Sequence, residues 1–318
     1  MDKEKIALRF SRAAESYEQE ATVQRRIATS MLEMLEKYYP MSSGSRILEI
    51  GCGTGIYSRM LQEHFSPSEL ICNDLSARMG EQCMAAFRQA ANGEYMQRFS
   101  AKHAEVFPET CRGNDKRYGN APENQFMDMP SPEALLKITG NRMTHTQIRF
   151  LEGDAEEIDF PSPLHLITSC STVQWFRHPE RFLQHCHRKM QAGGILAVST
   201  FTPGNLHEIQ SLTGQGLDYK SIEQWRGLLE KNRFAVLEMK EEKICQQHST
   251  PLAVLRHLQK TGVTAVNGDF VWTPSRLQTF RKEYIRYFST DTLEEPGKDT
   301  PVSLTWKPLY FVAKREEK

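Results

Sequence analysis

Apolar residues recur every three or four positions through the opening part of the chain, in two successive runs. This spacing predicts two amphipathic helices ahead of the first strand. Thr22 lies between the two runs, and its hydroxyl is suited to capping the second helix. The first run contains Ile6, Phe10, Ala13, Ala14 and Tyr17, and the second contains Val23, Ile27, Met31, Leu35 and Tyr38.

The pattern then changes to short, continuous apolar runs that alternate with helical ones. A continuous apolar run is typical of a strand buried on both faces. Strands that alternate with helices indicate a mostly parallel sheet in an α/β fold. A helix is predicted from Ile56 to about Phe65, directly after the first strand. Strands are predicted at 46–51, 69–74, 148–154, 164–172 and 194–201.

The last third of the chain combines helices with two further strands. A helix at 221–232 opens with a Ser-x-x-Gln capping box, and a helix at 249–262 has an early proline and a closing glycine. We expect the two late strands to pair antiparallel at the sheet edge, with helices at about 249–290 inserted as a lid. The strands are predicted at 234–247 and 302–315, and a further helix at 275–288.

One long segment interrupts this alternation. The interval between Asp74 and Gly153 is far longer than a helix and two short loops require, which indicates an insertion at about 92–145. The insertion is rich in Pro, Gly and Asn, and we expect it to be irregular except for one short helix at 131–140. The predicted regions are an N-terminal helical cap at 1–41, a core at 42–201 that contains the insertion, and 202–318, which completes the core sheet and carries the lid.

Charge and cysteine content narrow the class of protein. Lys plus Arg equals Asp plus Glu at 40 each, so no global field favours nucleic acid or an anionic membrane. We see neither a signal peptide nor a membrane span, and expect a cytoplasmic protein. The seven cysteines form no C-x-x-C pair, so we expect free thiols. His185 and His187 are two positions apart on a predicted helix and therefore face different sides, so we expect no metal site there.

The densest motif is E-x-G-x-G-x-G at 49–55, which follows a strand and opens a helix. A triphosphate-binding loop needs a Lys that this motif lacks, and the dinucleotide fingerprint needs a glycine where Ile56 stands. Asp74 ends the second strand, where a carboxylate can accept both hydroxyls of a ribose. Asp154 follows the third strand and can accept a hydrogen bond from an adenine amino group. Three carboxylates therefore converge on one crevice at the strand ends.

Together these residues resemble the class I S-adenosylmethionine-dependent methyltransferases, over about residues 45–200. The resemblance implies a Rossmann-like fold and S-adenosylmethionine as the cofactor. For Met79 it implies contact with the adenine ring, the alternative being a core methionine. The implied cofactor-binding residues are Glu49, Gly51, Cys52, Gly53, Gly55, Asp74, Leu75, Met79, Asp154, Ala155 and Ser171.

The fourth strand bears on the methyl acceptor. It ends in "SCSTVQWF" rather than in the Asn/Asp-Pro-Pro-Tyr/Phe motif of many methyltransferases that act on the amino groups of bases or Gln side chains. That chemistry is therefore disfavoured. Ser171, Gln174 and Trp175 are candidates for the acceptor pocket, although ordinary helix–sheet packing is the alternative for Trp175.

A second resemblance spans nearly the whole chain. The segments "RFSRAAESYEQEATVQRRIA", "VQWF", "TFTPGNLHEI" and "LRHLQKTGVTAVNG" resemble the malonyl-acyl carrier protein O-methyltransferases of the biotin pathway. This resemblance implies an enzyme that methylates the free carboxylate of a malonyl thioester, on the carrier protein or on CoA. Two alternatives stay open: a methyltransferase of another small acid or quinone-like acceptor, and a non-catalytic S-adenosylmethionine-binding module.

The same resemblance directs attention to the N-terminal helices. Tyr17 is the candidate for closing the site and for hydrogen-bonding the reacting end of the substrate, and packing in the apolar face is the alternative. A carrier protein is an acidic partner, so a basic rim is expected at the mouth of the site. We expect the protein to act as a monomer. The candidate rim residues are Arg9, Arg12, Arg25 and Arg26.

Overall fold

The computed structural model describes residues 2–40, 44–91, 146–263, 271–290 and 300–317. The insertion predicted at about 92–145, with its short helix at 131–140, lies outside the described residues. Part of the predicted lid, residues 264–270, lies outside them as well. The predicted division into three regions stays a prediction.

Both N-terminal helices are present, as α1 (Lys3–Glu20) and α2 (Thr22–Glu36). The expectation that Thr22 caps α2 was wrong, because Thr22 is the first residue of the helix. Ala21 occupies the capping position and has no side chain that could accept a hydrogen bond. Its backbone N–H instead donates to the carbonyl of Tyr17, so the chain passes from one helix to the next within a single residue.

The predicted sheet is confirmed, with seven strands in the order β3-β2-β1-β4-β5-β9-β6. The first five strands in this order are parallel, and β9 pairs antiparallel with both β5 and β6. The sheet edge is thus antiparallel, as predicted. The strands are β1 (Arg46–Ile50), β2 (Glu69–Asp74), β3 (Gln147–Glu152), β4 (Leu164–Cys170), β5 (Met190–Phe201), β6 (Phe234–Glu241) and β9 (Pro308–Arg315).

Each of the two late strands predicted from the sequence is two strands in the structure. Residues 234–247 form β6 and then β7 (Ile244–His248), and residues 302–315 form β8 (Val302–Trp306) and then β9. β7 and β8 pair with each other in a separate two-stranded sheet. Lys307 separates β8 from β9. Residues of the segment after β5 hold it there, because its N–H donates to the Asn205 side chain and its carbonyl accepts from the Thr202 N–H. A continuous apolar run does not reveal such a change of partner.

Helices cover both faces of the sheet. Neighbouring residues of β1 show why both faces are buried: Ile47 packs into the cluster with α2, and Leu48 into a second cluster on the other face. The capping box at Ser221 is present as predicted. The helices beyond α2 are α3 (Ile56–Phe65), α4 (Ala77–Ala91), α5 (Pro179–Lys189), α6 (His207–Thr213), α7 (Ile222–Lys231), α8 (Pro251–Lys260) and α9 (Pro274–Phe288). Among the described residues, no helix is long and apolar enough to cross a membrane.

The topology favours ligand binding at the carboxyl ends of the parallel strands. β1 lies between β2 and β4. The chain runs from β1 to β2 and β3 on one side and then crosses to β4 on the other, which opens a crevice at the carboxyl end of β1. α1 lies over this crevice. It is tied to Ser76, the residue directly before α4, by a hydrogen bond between the Ser11 and Ser76 hydroxyls (2.8 Å), and to α8 by the Ser16 hydroxyl, which donates to the Lys260 carbonyl (3.1 Å).

Candidate active site

The loop after β1 is built from glycines in the left-handed backbone region. The φ angles of Gly51 and Gly53 are +72° and +55°, a region that other residues rarely adopt. A Cβ on Gly51 would lie 2.1 Å from the Thr172 hydroxyl oxygen, so this glycine is required by packing as well. A Cβ on Gly53 would meet nothing within 4 Å, because this residue faces open space. Gly53 thus leaves room for a ligand against its backbone.

Asp74 is fixed beside this loop by two backbone donors. Its carboxylate accepts hydrogen bonds from the N–H of Gly53 at 2.9 Å and from the N–H of Ser76 at 2.8 Å. Burial raises the pKa of Asp74 to about 6, and the two backbone hydrogen bonds oppose that rise. The group is therefore an anion at neutral pH, with oxygen lone pairs left for a hydroxyl donor.

A cavity lies between the strand ends and α1. The predicted residues fall into two groups around it. Glu49, Cys52, Gly55 and Gln174 do not line the cavity. The predicted residues that do line it are Tyr17, Gly51, Gly53, Asp74, Leu75, Met79, Asp154, Ala155, Ser171 and Trp175.

Four residues of α1 form the roof of the cavity: Lys3, Ile6, Phe10 and Tyr17. Lys3 bridges the carboxylates of Asp154 (3.1 Å) and Glu156 (2.7 Å). Lys3, Ile6 and Phe10 are not among the site residues predicted from the sequence. Their helical spacing could have indicated them, because the four roof residues lie three, four and seven positions apart on one face of α1.

Tyr17 is the uncharged polar side chain of this roof. Its phenol is buried, and burial raises its pKa far above the usual range; the neighbouring acidic groups Cys170 and Asp74 act in the same direction and Arg25 in the opposite one. The hydroxyl is therefore neutral and able to donate a hydrogen bond at any physiological pH. Tyr17 packs in the roof and also lines the cavity. Its role toward a substrate stays a prediction.

Ser171 carries the clearest local strain in the cavity wall. Its φ of +58° lies in the left-handed region, which is unfavourable for a residue with a side chain. Its hydroxyl is buried and has no hydrogen-bond partner among the described residues. Its N–H donates to the carbonyl of Ser199 at 3.0 Å, which holds the strained turn against β5. A buried, unsatisfied hydroxyl on a cavity wall is a binding group for a polar ligand.

Glu49 lies beneath the loop rather than in the cavity. It is only 1% exposed, and one of its carboxylate oxygens has no hydrogen-bond partner in the described part of the chain. Burial raises its pKa to about 8, against the opposing effects of the Ser58 hydroxyl and the Arg59 charge. The side chain points away because it alternates with Ile50, which does line the cavity.

Gln174 and Trp175 share one short 3₁₀ turn, Val173–Trp175, but point differently. The Gln174 amide donates to the Ser171 carbonyl at 2.6 Å, so this side chain supports the wall from behind. Trp175 lines the cavity and meets Phe10 edge-to-face, with ring centroids 5.7 Å apart. Its two interpretations are therefore compatible, since the same ring packs against α1 and closes the site.

Three of the four predicted rim arginines, Arg9, Arg25 and Arg26, interact with other residues of the protein. Arg25 donates to the Glu18 carbonyl, and Arg26 forms an ion pair with Glu242. Arg12 is exposed and Arg9 is half-buried. A role of these residues in binding a carrier protein stays a prediction.

The histidines at 185 and 187 pack separately. His185 stacks on Phe160 with centroids 4.2 Å apart, and His187 meets Phe234 edge-to-face. Within the described ranges, no group of three or more His, Cys, Asp or Glu side chains is arranged to hold a metal ion.

A glycine loop, a fixed carboxylate and a roofed cavity at the switch point of a parallel sheet describe a nucleotide-type cofactor site, and comparison with known proteins gives the class. A family profile described as "Methyltransferase domain" matches residues 19–264, so the chain belongs to the methyltransferases. The YcgJ protein of Bacillus subtilis shares the fold, with a TM-score of 0.53 and 14% identity over 91% of this chain and 100% of that one.

The particular family follows from closer relatives. A malonyl-[acyl-carrier protein] O-methyltransferase of Bacteroides helcogenes is 37% identical over the full length of both chains. The protein of the same name from Haemophilus influenzae is 30% identical over 99% of this chain and 95% of that one. This chain belongs to the malonyl-[acyl-carrier protein] O-methyltransferase family.

Proposed function

We propose that this protein transfers the methyl group of S-adenosylmethionine to the free carboxylate of a malonyl group held as a thioester on acyl carrier protein. The observation that carries the proposal is the single cavity that Asp74, Gly53 and Tyr17 of the roof line together. Relatives that are 30% and 37% identical, and that this chain matches over nearly its whole length, are named for this substrate.

The residues present fit the cofactor. When bound, it supplies a methyl group activated on a positively charged sulfur. Asp74 would accept hydrogen bonds from the two ribose hydroxyls, because its carboxylate is fixed but not saturated by the two backbone donors. The open face of Gly53 and the unsatisfied hydroxyl of Ser171 are suited to the polar amino-acid end.

The adenine end of the cofactor would lie on the side of Asp74 opposite to the amino-acid end. Leu75, Met79 and Ala155 supply apolar wall there, and Met79 is 1% exposed. Asp154 is the acceptor for an adenine amino group in this proposal, and its carboxylate also contacts Lys3 of the roof. Glu49 is beneath the loop, so its proposed role is to support the loop rather than to contact the ligand.

The chemistry at the acceptor requires alignment rather than a base. A malonyl carboxylate has a pKa of about 4 and is already ionised near neutral pH. The neutral Tyr17 hydroxyl can hydrogen-bond one carboxylate oxygen and so orient the other. Phe10 and Trp175 close the wall beside it and exclude water. Among the described lining residues Lys3 is the only cation, and Asp154 and Glu156 already bind it.

The remaining expectations belong to the same proposal. They are a place in biotin synthesis, malonyl-CoA as the alternative acceptor, a cytoplasmic location and a monomeric state. Sedimentation velocity of the purified protein tests the last of these directly.

The deciding experiment is a mass-spectrometric assay of the purified protein with S-adenosylmethionine. Malonyl-acyl carrier protein, malonyl-CoA and free malonate are offered in parallel, and the Asp74→Asn variant is the matched control. We expect one methyl group to be added to the malonyl carrier, and none with the control. Bound S-adenosylmethionine without methylation of either thioester would refute the proposed acceptor while leaving the cofactor site intact.

A further inference from the structure

Three buried cysteine thiols lie together beneath the glycine loop. Cys52 belongs to the loop itself, Cys72 to β2 and Cys83 to α4. All three are buried and belong to one core cluster. None of them lines the proposed cofactor cavity, so the cluster is distinct from the cofactor contacts.

The cluster touches the backbone that forms the cofactor cradle. A Cβ on Gly55 would lie 2.9 Å from the sulfur of Cys83, so that sulfur packs directly on the loop. On the other side, the sulfur of Cys52 lies 3.7 Å from the carbonyl oxygen of Gly53. A chemical change at either sulfur is therefore transmitted to Gly53, whose N–H holds Asp74.

The environment of Cys83 favours its ionised form. The thiols of Cys52 and Cys72 donate toward it, the Ser58 hydroxyl lies 3.7 Å away, and Arg59 adds a positive charge, all of which lower the pKa of Cys83. Its neighbours Cys72 and Cys83, together with burial, raise the pKa of Cys52. An ionised sulfur beside a protonated one is the arrangement that a thiol pair needs for oxidation, because the thiolate is the nucleophile.

We propose that Cys52 and Cys83 form a disulfide when the protein meets hydrogen peroxide, and that this bond weakens the binding of S-adenosylmethionine. The second part rests on the proposed function. The Cys83 thiolate attacks one peroxide oxygen and becomes a sulfenic acid, with release of water after protonation. The Cys52 thiol then attacks the sulfenic sulfur and a second water leaves. In sum, two thiols and one peroxide give one disulfide and two water molecules.

Cys52 is the partner in this proposal because it lies outside the strands of the sheet. Cys72 is fixed in the middle of the sheet, with Glu49 of β1 and Phe150 of β3 as its neighbours in register. Cys52 lies in the loop beyond the end of β1, where its N–H donates to the Asn73 carbonyl and its carbonyl accepts from the Gly55 N–H. Bond formation draws Cys52 toward α4 and with it the adjacent Gly53, which disturbs the loop where the ligand would lie.

The test uses the full-length protein with hydrogen peroxide as the oxidant. Peptide mapping should find Cys52 joined to Cys83, and calorimetry should find S-adenosylmethionine bound at least about tenfold more weakly, with recovery after dithiothreitol. Cys83→Ser should abolish the peroxide effect. Cys186→Ser, which removes a buried thiol from the other face of the sheet, should leave the effect unchanged.

Three results would overturn the inference. They are thiols that stay reduced under peroxide, a bond mapped to Cys72 instead of Cys52, and a mapped Cys52–Cys83 bond with unchanged affinity. Mapping needs no variant, so a poorly folded Cys83→Ser protein does not remove the test. Neither readout depends on methyl transfer, so failure of the proposed acceptor is distinguishable from failure of this inference.

Discussion

The Arg59 guanidinium donates to the Glu18 carboxylate at 2.6 Å and thereby joins α3, which follows the glycine loop, to α1, which roofs the cavity. The same guanidinium donates to the Thr54 carbonyl of the loop at 3.3 Å. Arg59 is 5% exposed, so this cation is held within the protein rather than at its surface. The loop and the roof therefore share one buried cation. Its partner in the roof, Glu18, directly follows Tyr17 along α1.

Arg59→Met is expected to lower both stability and cofactor affinity. Glu18 is partly exposed, so we discount the full cost of a broken buried pair and expect a loss of about 1–2 kcal/mol in the free energy of unfolding. Urea unfolding and S-adenosylmethionine titration measure the two effects. Arg78→Met, at an exposed ion pair of α4 with Glu15 of α1, is the control and should change neither by more than about 0.5 kcal/mol. Equal effects of the two variants would contradict the coupling.

Lys3→Met is expected to loosen the roof. Lys3 connects α1 to two carboxylates of the cavity wall, and its side chain is only 15% exposed, so its loss leaves Asp154 and Glu156 without their cation. We expect S-adenosylmethionine to dissociate about five- to tenfold faster, as followed by intrinsic tryptophan fluorescence in stopped flow. Lys5→Met is the matched control, because Lys5 lies on the same helix but pairs only with Asp2 at the surface. A dissociation rate unchanged in both variants would show that the bridge does not hold the roof.

The binding of S-adenosylmethionine is expected to weaken below about pH 6. The pKa of Asp74 is raised to about 6 in the free protein, and a protonated carboxyl loses acceptor capacity for ribose hydroxyls. Its dissociation constant should therefore rise toward tenfold per pH unit below that value and be flat above it. Asp74→Asn should bind about 100-fold more weakly and show no such dependence. A wild-type constant that does not change between pH 5 and 8 would argue against Asp74 as the ribose acceptor.

Tyr17→Phe is expected to reduce turnover while preserving cofactor binding. The variant keeps the ring that packs in α1 but removes the neutral hydroxyl that faces the cavity. We expect kcat/KM for the malonyl thioester to fall about 10- to 100-fold, with the S-adenosylmethionine dissociation constant changed by less than about twofold. Tyr57→Phe, at a buried tyrosine bonded to Thr168 away from the cavity, is the control. Full activity of Tyr17→Phe would favour the packing interpretation.

The sequence predicted the parts of the site that depend on local motif. The glycine loop and the acids after β2 and β3 are contiguous patterns, and the order of a parallel sheet brings strand ends together. The motif does not say which side chains turn into the cavity. Glu49 and Ile50 are neighbours in the motif, yet alternation along β1 sends Glu49 beneath the loop.

Long-range contacts explain most of what the sequence did not show. Lys3 has a predictable helical face, but its partners Asp154 and Glu156 lie some 150 positions away, and periodicity cannot identify them. Gln174 was a candidate for the acceptor pocket, and only the turn geometry reveals that its amide returns to the Ser171 carbonyl. The exchange of partners at Lys307 likewise depends on Asn205, far from it in the chain.

His248 is expected to make the fold sensitive to acid. The imidazole is largely buried beside His257, and burial first, then the charge of His257, lowers its pKa to about 4, while Glu20 acts in the opposite direction. Lys260 is the other charged group that faces the pair, through its bond to Glu20. Because the unfolded chain takes up a proton near pH 6.5, stability is present above that value and is lost as the pH falls toward 4.

His248→Gln removes this titration and should flatten the acid limb of stability. Between pH 7 and 5 the wild-type protein should lose about 2 kcal/mol more in its free energy of unfolding than the variant does. Urea unfolding at the two pH values measures the difference. His178→Gln, at an exposed histidine, is the matched control and should follow the wild type. If His248→Gln loses as much stability between pH 7 and 5 as the wild type, the acid sensitivity of the fold arises elsewhere than in the His248–His257 pair.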